Sequence, residues 1–185
     1  MTQRKPTKDT LRRLYDAIRE VPDFPTPGIV YRDITPILQD SMLFRQAVRH
    51  IAAPARELKV DKVVAIEPGG FMLGGAVGIE LQAGLVPARK PGKLPHVTHM
   101  VEYGPEYSAE AIEVHKDAIE SGERVLIVDD VLATGATAEA AVKAAREAGG
   151  EVVAMSVLLE LLELDGRSKL EGIPLWSVLT YPRAG

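Results

Sequence analysis

The sequence lacks cysteine, long apolar runs and any surplus of positive charge. None of its 185 residues is a cysteine, so the chain forms no disulfide and offers no thiolate to a metal. No apolar segment reaches the length of about 20 residues that a membrane-spanning helix needs. The first ten residues are polar, and no apolar segment follows them that would indicate an export signal. We therefore expect a soluble, cytoplasmic protein without a membrane partner.

The charge balance argues against a nucleic-acid-binding surface. The formal net charge is −4, and the basic residues are dispersed except for a cluster of Arg89, Lys90 and Lys93. By themselves these cations indicate only a solvated hairpin around Pro91-Gly92. Beside a phosphate site, the same three side chains would be suited to bind pyrophosphate. We expect no nucleic acid as a partner, and any anionic ligand must be bound locally.

Two common nucleotide-binding patterns are also missing. The sequence lacks the Gly-Lys-Ser or Gly-Lys-Thr of a lysine-containing P-loop, and this absence disfavours hydrolysis of nucleoside triphosphates. No Gly-x-Gly-x-x-Gly follows a predicted strand, so a dinucleotide-binding fold has little support.

The pattern of apolar residues predicts one α/β domain over residues 1–185. An apolar content of 46% is enough for a sizeable core at this length. Strands and helices alternate, which predicts a central, mostly parallel sheet flanked by helices. Helices are predicted at residues 8–20, from Asp40 or Ser41 to 55, at 71–81 and at 136–148, and strands at 63–66, 85–88, 125–128 and 152–159, with an edge strand at 175–179.

The most informative segment covers residues 125–137. Four apolar residues predict a buried strand, Asp129 and Asp130 follow it, and a helix then begins. A turn of small and hydroxyl-bearing residues leads from the acids into the N-terminus of the helix and consists of Ala133, Thr134, Gly135, Ala136 and Thr137. Such a turn at a helix N-terminus can bind a phosphate through backbone N–H groups, and the carboxylates can bind vicinal hydroxyls or Mg²⁺. The acids alone would indicate only a strand end or a helix cap.

This segment resembles the 5-phosphoribosyl-1-pyrophosphate (PRPP) signature of type I phosphoribosyltransferases, and its second half is similar to that of the adenine enzymes. Three other segments resemble further signatures of adenine phosphoribosyltransferases, in the same order along the chain: residues 24–36, 88–95 and 113–118. Together with residues 158–161 they span most of residues 24–161. The resemblance implies a single-domain type I phosphoribosyltransferase fold with an N-terminal hood segment and a flexible flap.

The resemblance also implies an activity. It is the transfer of the 5-phosphoribosyl group from PRPP to adenine, which forms AMP and pyrophosphate in purine salvage. Mg²⁺ is the implied cofactor, bound mainly through substrate oxygens, and a homodimer is the implied assembly. The implied PRPP-binding residues are Asp129, Asp130, Ala133, Thr134, Gly135, Ala136, Thr137, Arg89, Lys90, Lys93, Gly69 and Gly70.

The remaining implied roles concern the base. Val30 and Arg32 would bind adenine largely through their backbone, and Tyr31 and Leu161 would flank its ring. Taken one by one, Val30, Tyr31 and Leu161 indicate ordinary core packing, and only the combined pattern assigns them to an adenine site. Glu106 would exchange a proton with the purine as the catalytic residue, beside Tyr107 on the flap.

The chain departs from the family pattern at two positions. Gly69 occupies the place where related enzymes usually have arginine, so one cation for pyrophosphate is absent. We expect backbone N–H groups of the glycine-rich loop, together with the cluster at residues 89–93, to compensate. Ser108 replaces the usual flap glycine when the flap motif is aligned by spacing on Glu106 and Tyr107 rather than on Glu102-Tyr103-Gly104.

Three alternatives stay open from the sequence. The acceptor base could be hypoxanthine, guanine or xanthine, because sequence does not orient the hydrogen bonds that distinguish purines. The departures at Gly69 and Ser108 are also compatible with a non-catalytic regulator that binds PRPP or a nucleotide. Finally, an α/β domain can carry loops that only resemble these signatures.

Overall fold

A five-stranded parallel sheet forms the centre of the protein, in the order β4-β3-β7-β8-β9. The structure is a computed structural model that describes residues 8–104 and 110–181. The helices are α1 (Lys8–Ala17), α2 (Thr35–Gln39), α3 (Ser41–Ala52), α4 (Gly69–Leu81) and α5 (Ala136–Glu147). The strands are β1 (Arg19–Pro22), β2 (Val30–Asp33), β3 (Lys62–Ile66), β4 (Gly84–Ala88), β5 (Thr98–Tyr103), β6 (Glu110–His115), β7 (Arg124–Leu132), β8 (Glu151–Leu161) and β9 (Leu175–Tyr181).

The central strands are apolar because helices cover both faces of the sheet. Val125 to Val128 of β7 are fully buried, and their side chains alternate between two core clusters. One cluster contains the alanine-rich face of α5, and the other contains apolar residues of α3 and α4. This arrangement confirms the predicted fold class of a parallel sheet flanked by helices.

Several predicted elements have different bounds. The first helix ends at Ala17, and the chain then forms β1, which pairs antiparallel with β2 as an N-terminal hairpin. Strand β7 continues past the predicted end at residue 128 and includes both aspartates. Residues 98–103, for which no strand was predicted, form β5, which pairs antiparallel with β6. Backbone pairing across segments decides each of these differences, so apolar periodicity did not predict them.

The start of α3 follows the predicted capping pattern. The Asp40 carboxylate accepts hydrogen bonds from the N–H groups of Met42 (2.8 Å) and Leu43 (3.0 Å). These bonds hold the pKa of Asp40 below its ordinary value. No helix in the described part of the chain combines the length and the apolar character that crossing a membrane requires.

Candidate active site

Asp129 and Asp130 lie near the end of β7, beside the N-terminus of α4. The Asp129 carboxylate accepts a hydrogen bond from the backbone N–H of Asp130 (2.9 Å), and the Asp130 carboxylate accepts one from Val131 (2.9 Å). A β-carbon placed on Gly69 would lie 2.1 Å from Oδ2 of Asp130, and one placed on Gly70 would lie 3.1 Å from Oδ1 of Asp129. Both glycines therefore allow the two carboxylates to approach the first turn of α4.

This contact brings two separately predicted parts of the site together. The acids were predicted to bind ribose hydroxyls, and Gly69 and Gly70 were predicted to contribute backbone N–H groups for pyrophosphate. The structure adds that Gly69 has no room for a β-carbon while Asp130 keeps its position. The usual arginine at this position would therefore displace the Asp130 carboxylate.

The paired carboxylates are electrostatically strained. Burial raises the pKa of Asp129 well above its ordinary value, and the neighbouring charge of Asp130 adds to this rise. A cation or hydroxyl donors between the two groups would favour the ionised form of Asp129. The pair is therefore suited to a ligand that supplies positive charge or hydrogen-bond donors.

The candidate phosphate loop, residues 133–137, joins β7 to α5. Gly135 adopts a left-handed conformation (φ 78°) and forms the N-cap of α5, where its carbonyl accepts a hydrogen bond from Glu139 (2.9 Å). The loop packs against Gly166, which lies in a 3-10 helix (Gly166–Leu170) after β8. The first turn of α5 presents the helix N-terminus at the carboxyl end of the sheet, where parallel α/β sheets bind ligands.

The predicted cation cluster surrounds Glu67 at the end of β3. Arg89 donates from Nε to Oε2 of Glu67 (2.7 Å), and the backbone N–H of Lys90 donates to Oε1 (2.9 Å). Arg89 also donates to the carbonyl of Lys93 (3.1 Å) and lies over the Phe71 ring, 5.7 Å from its centroid. Burial raises the pKa of Glu67, but its bonds with Arg89 and Lys90 outweigh burial, so the pKa is lowered overall. Part of the cluster's positive charge is thus neutralised by Glu67.

The four candidate adenine residues come from β2 and from the end of β8. Val30 and Tyr31 are about half exposed, as an open binding surface requires. The Arg32 guanidinium lies 4.6 Å from the centroid of the Tyr181 ring, and Leu161 pairs with Tyr181 in the sheet. Tyr181 therefore links Arg32 to Leu161.

The N-terminal hairpin also lies near the acids. Burial raises the pKa of Tyr31, and the charge of Asp130 raises it further. The Tyr31 ring packs edge-on against Phe24, with 5.3 Å between the centroids. The predicted residues Glu106, Tyr107 and Ser108 lie outside the described residues.

Comparison with known proteins identifies the family of this chain. Residues 36–173 match the family model for the phosphoribosyl transferase domain. An adenine phosphoribosyltransferase from Methylobacterium nodulans is 48% identical over 174 residues, which is 93% of this chain and 96% of that protein. The chain belongs to the adenine phosphoribosyltransferase family.

Solved structures of adenine phosphoribosyltransferases share the fold. The enzyme from Rhodothermus marinus superposes with a TM-score of 0.90 at 49% identity, covering 95% of this chain and 100% of that one. The enzyme from Saccharomyces cerevisiae, solved with adenine and an imino-altritol bisphosphate, has a TM-score of 0.88 at 33% identity, covering 94% and 100% of the two chains. Both similarities extend over nearly the whole length of this chain and of the compared enzymes.

Two residues near the candidate site were missed by sequence reasoning. Tyr103 was set aside with the sequence Glu102-Tyr103-Gly104, yet its phenol donates to Glu110 (2.9 Å) and lies close to Thr137 of the candidate phosphate loop. Burial raises the pKa of Tyr103, and the Glu110 carboxylate contributes to the rise. Gly166 carries no signal that relates it to the phosphate loop, because the two are far apart in sequence.

Proposed function

We propose that this protein transfers the 5-phosphoribosyl group from PRPP to adenine and releases AMP and pyrophosphate. The observation that carries the proposal is the contact of Asp129 and Asp130 with Gly69 and Gly70, together with the loop of residues 133–137 that follows the two acids and leads into α5. Membership of the adenine phosphoribosyltransferase family supports adenine as the acceptor over other purines and over a non-catalytic regulator.

The arrangement can perform this reaction by positioning and by electrostatic stabilisation. As pyrophosphate leaves, the ribose develops positive charge, and the protein must align the base and exclude water. Residues 133–137 would bind the 5-phosphate, and Asp129 and Asp130 the ribose hydroxyls. The first turn of α4 and the cations around Glu67 would bind the leaving pyrophosphate. Val30, Tyr31, Arg32 and Leu161 would hold adenine, and Glu106 would exchange a proton with it.

Mg²⁺ is proposed as the cofactor. Within residues 8–104 and 110–181, no group of three or more His, Asp or Glu side chains is arranged to hold a metal ion. The Asp129–Asp130 pair nevertheless fits a cation, because burial and, after it, the neighbouring charge of Asp130 raise the pKa of Asp129, and a cation would offset both. Mg²⁺ typically retains waters and binds one or two carboxylates together with substrate phosphates. Its chemistry here would be to neutralise the charge of the pyrophosphate group.

The test is formation of the corresponding nucleoside monophosphate from PRPP and Mg²⁺, measured with adenine, hypoxanthine, guanine and xanthine side by side. We expect adenine to be preferred. Equal use of all four bases would contradict the proposed specificity, and tight PRPP binding without any nucleotide product would support the regulator instead.

Loss of activity in Glu106→Leu would support the proton-exchange role, whereas full turnover in that variant would overturn it.

A homodimer is proposed through the outer face of α4 and β4. Met72 and Ile79 lie one heptad apart on α4 with 48% and 83% of their surfaces exposed, and Leu85 of β4 is 47% exposed. Such an apolar face at an edge of the sheet is typical of an interface. Sedimentation should show a dimer that dissociates in Ile79→Glu but not in Met42→Glu, a control at an exposed methionine on α3. A wild-type monomer would contradict this assembly.

A cytoplasmic location is proposed with this reaction. PRPP and AMP carry phosphate groups that do not cross membranes unaided, so the enzyme should act where PRPP is formed. Fractionation of cells should recover the protein with the cytoplasmic fraction, and recovery outside it would contradict the proposal.

A further inference from the structure

Gly166 touches the candidate phosphate loop through its backbone. A β-carbon placed on Gly166 would lie 2.2 Å from the carbonyl oxygen of Ala133 and 2.8 Å from the nitrogen of Gly135. In the opposite direction, a β-carbon on Gly135 would lie 2.3 Å from the carbonyl oxygen of Gly166. Two backbones that approach this closely leave no space for a side chain at either glycine. Gly166 therefore packs directly against the backbone of the loop.

An ion pair fixes the residue that follows this glycine. Arg167 donates from Nε to Oε1 of Glu160 (2.9 Å) and from Nη2 to Oε2 (2.6 Å), which is a bidentate geometry. The same guanidinium donates to the carbonyl of Leu175 (3.1 Å), and the Ser177 hydroxyl bonds to Glu160. Burial raises the pKa of Glu160, but Arg167 and Ser177 outweigh it, so the pKa is lowered and the carboxylate stays charged at neutral pH.

The two ends of this segment are anchored in the sheet and the core. Glu160 is only 3% exposed and precedes Leu161, the candidate adenine wall at the end of β8. Leu170, at the end of the 3-10 helix, is buried in the same core cluster as the inner face of α5. The segment from Glu160 to Leu170 is therefore anchored at both ends, and this anchoring holds Gly166 in place against the candidate phosphate loop.

We propose that Gly166, held in place by the Arg167–Glu160 ion pair, is a positioning residue that fixes the shape of the phosphate loop and so sets the affinity for the 5-phosphate of PRPP and AMP. This inference rests on the proposed function, because that function assigns the 5-phosphate to residues 133–137. A loop that binds phosphate through backbone N–H groups depends on the directions of those groups. The backbone contact with Gly166 would keep these directions fixed.

The first experiment compares Gly166→Ala with Gly84→Ala. The added methyl group at position 166 meets backbone atoms, whereas at position 84 it meets the flexible end of the Lys62 side chain at 3.1 Å. Because a displacement of about 1 Å can cost up to about 100-fold, we expect Gly166→Ala to raise the Kd for ribose 5-phosphate by roughly tenfold or more in calorimetric titration. The KM for PRPP should rise in parallel, while the KM for adenine and all constants of Gly84→Ala stay near wild type.

Two results would overturn the proposal. One is unchanged ribose 5-phosphate binding in folded Gly166→Ala, and the other is an equal rise in the KM values for adenine and PRPP, which a general structural role would produce. If Gly166→Ala does not fold, Arg167→Lys replaces it, since lysine keeps the charge but loses the bidentate bonds. A selective rise in the Kd for ribose 5-phosphate in Arg167→Lys, at unchanged melting temperature, supports the proposal, and an unchanged Kd contradicts it.

Ribose 5-phosphate binding also separates this inference from the proposed function. Wild-type protein that binds ribose 5-phosphate but forms no AMP would overturn the transfer reaction, and a selective loss of that binding in Gly166→Ala would still support the positioning role. Wild-type protein that forms AMP while Gly166→Ala retains full affinity would support the reaction and overturn the positioning role.

Discussion

The candidate phosphate loop (residues 133–137) and the candidate pyrophosphate region around Glu67 and Gly69 differ in how the chain assembles them. The phosphate loop follows β7 directly and continues into α5, so consecutive residues supply the strand, the turn and the helix N-terminus. The pyrophosphate region combines the end of β3 and the first turn of α4 with Arg89, which reaches Glu67 from 22 residues further along the chain. A consecutive site depends on backbone conformation, whereas an assembled site depends on contacts between side chains. We therefore expect single changes to affect them differently.

The largest expected effect is that of Gly135→Ala. This change adds a side chain at a positive φ and also forces a collision with the carbonyl of Gly166. We expect AMP formation to fall by more than about 100-fold, because the loop must move away from the 5-phosphate. Gly172→Ala is a matched control, since Gly172 has a similar φ of 77° but nothing within 4 Å of an added β-carbon. Equal losses in the two variants would show that backbone strain alone, and not the contact, is responsible.

Gly69→Arg tests the pyrophosphate region and is expected to have the next largest effect. The family pattern alone suggests that arginine should restore a missing cation, but its β-carbon would collide with the Asp130 carboxylate. That carboxylate ends a flexible side chain, so it can swing away without unfolding the protein. We expect kcat/KM for PRPP to fall about tenfold or more at an unchanged melting temperature.

Gly69→Ala separates the two contributions of the arginine. Alanine adds the same β-carbon without the guanidinium, so displacement of Asp130 predicts a loss in both variants. A Gly69→Arg variant that exceeds wild-type activity would instead show that the added cation outweighs the displacement.

Arg89→Gln should have a moderate effect. Without Arg89, the Glu67 carboxylate loses its charge-assisted hydrogen bond, and the proposed pyrophosphate site loses a cation. Hydrogen bonds to charged groups contribute about 1.5–3 kcal/mol, so we expect the KM for PRPP to rise about tenfold in steady-state assays. Adding Glu67→Gln to this variant should recover part of the loss. An additive loss in the double variant would show that Glu67 does not act through Arg89.

The smallest expected effect concerns stability and the pKa of Asp129. This pKa is raised in the folded protein, so the unfolded chain ionises more readily and wild-type stability falls as the pH rises from about 4 through the raised pKa. Asp129→Asn removes this titration. We expect its melting temperature to exceed that of wild type by roughly a few degrees at neutral pH and the difference to disappear in acid. Asp117→Asn, at an exposed carboxylate, serves as control, and equal pH profiles for Asp129→Asn and wild type would contradict the prediction.

Much of the fold was predictable because its elements are locally encoded. Apolar runs predicted β3, β4, β7 and β8, and the capping pattern predicted the start of α3. The predicted bounds were wrong where pairing between strands decides them. At β1, residues at the predicted end of the first helix pair with β2 instead. In the candidate site, the sequence indicated the acids and the phosphate loop, while the roles assigned to individual residues stay predictions.

The sequence by itself determined the parallel α/β core and the order of strand, paired acids and phosphate loop, because neighbouring residues encode them. Only the tertiary structure placed Gly69 against Asp130, Tyr103 beside Thr137 and Gly166 behind Gly135. These contacts join residues that are distant along the chain, and their distances depend on how strands and helices pack together. A glycine in the sequence permits a close approach, but the partner that approaches it is decided by the fold.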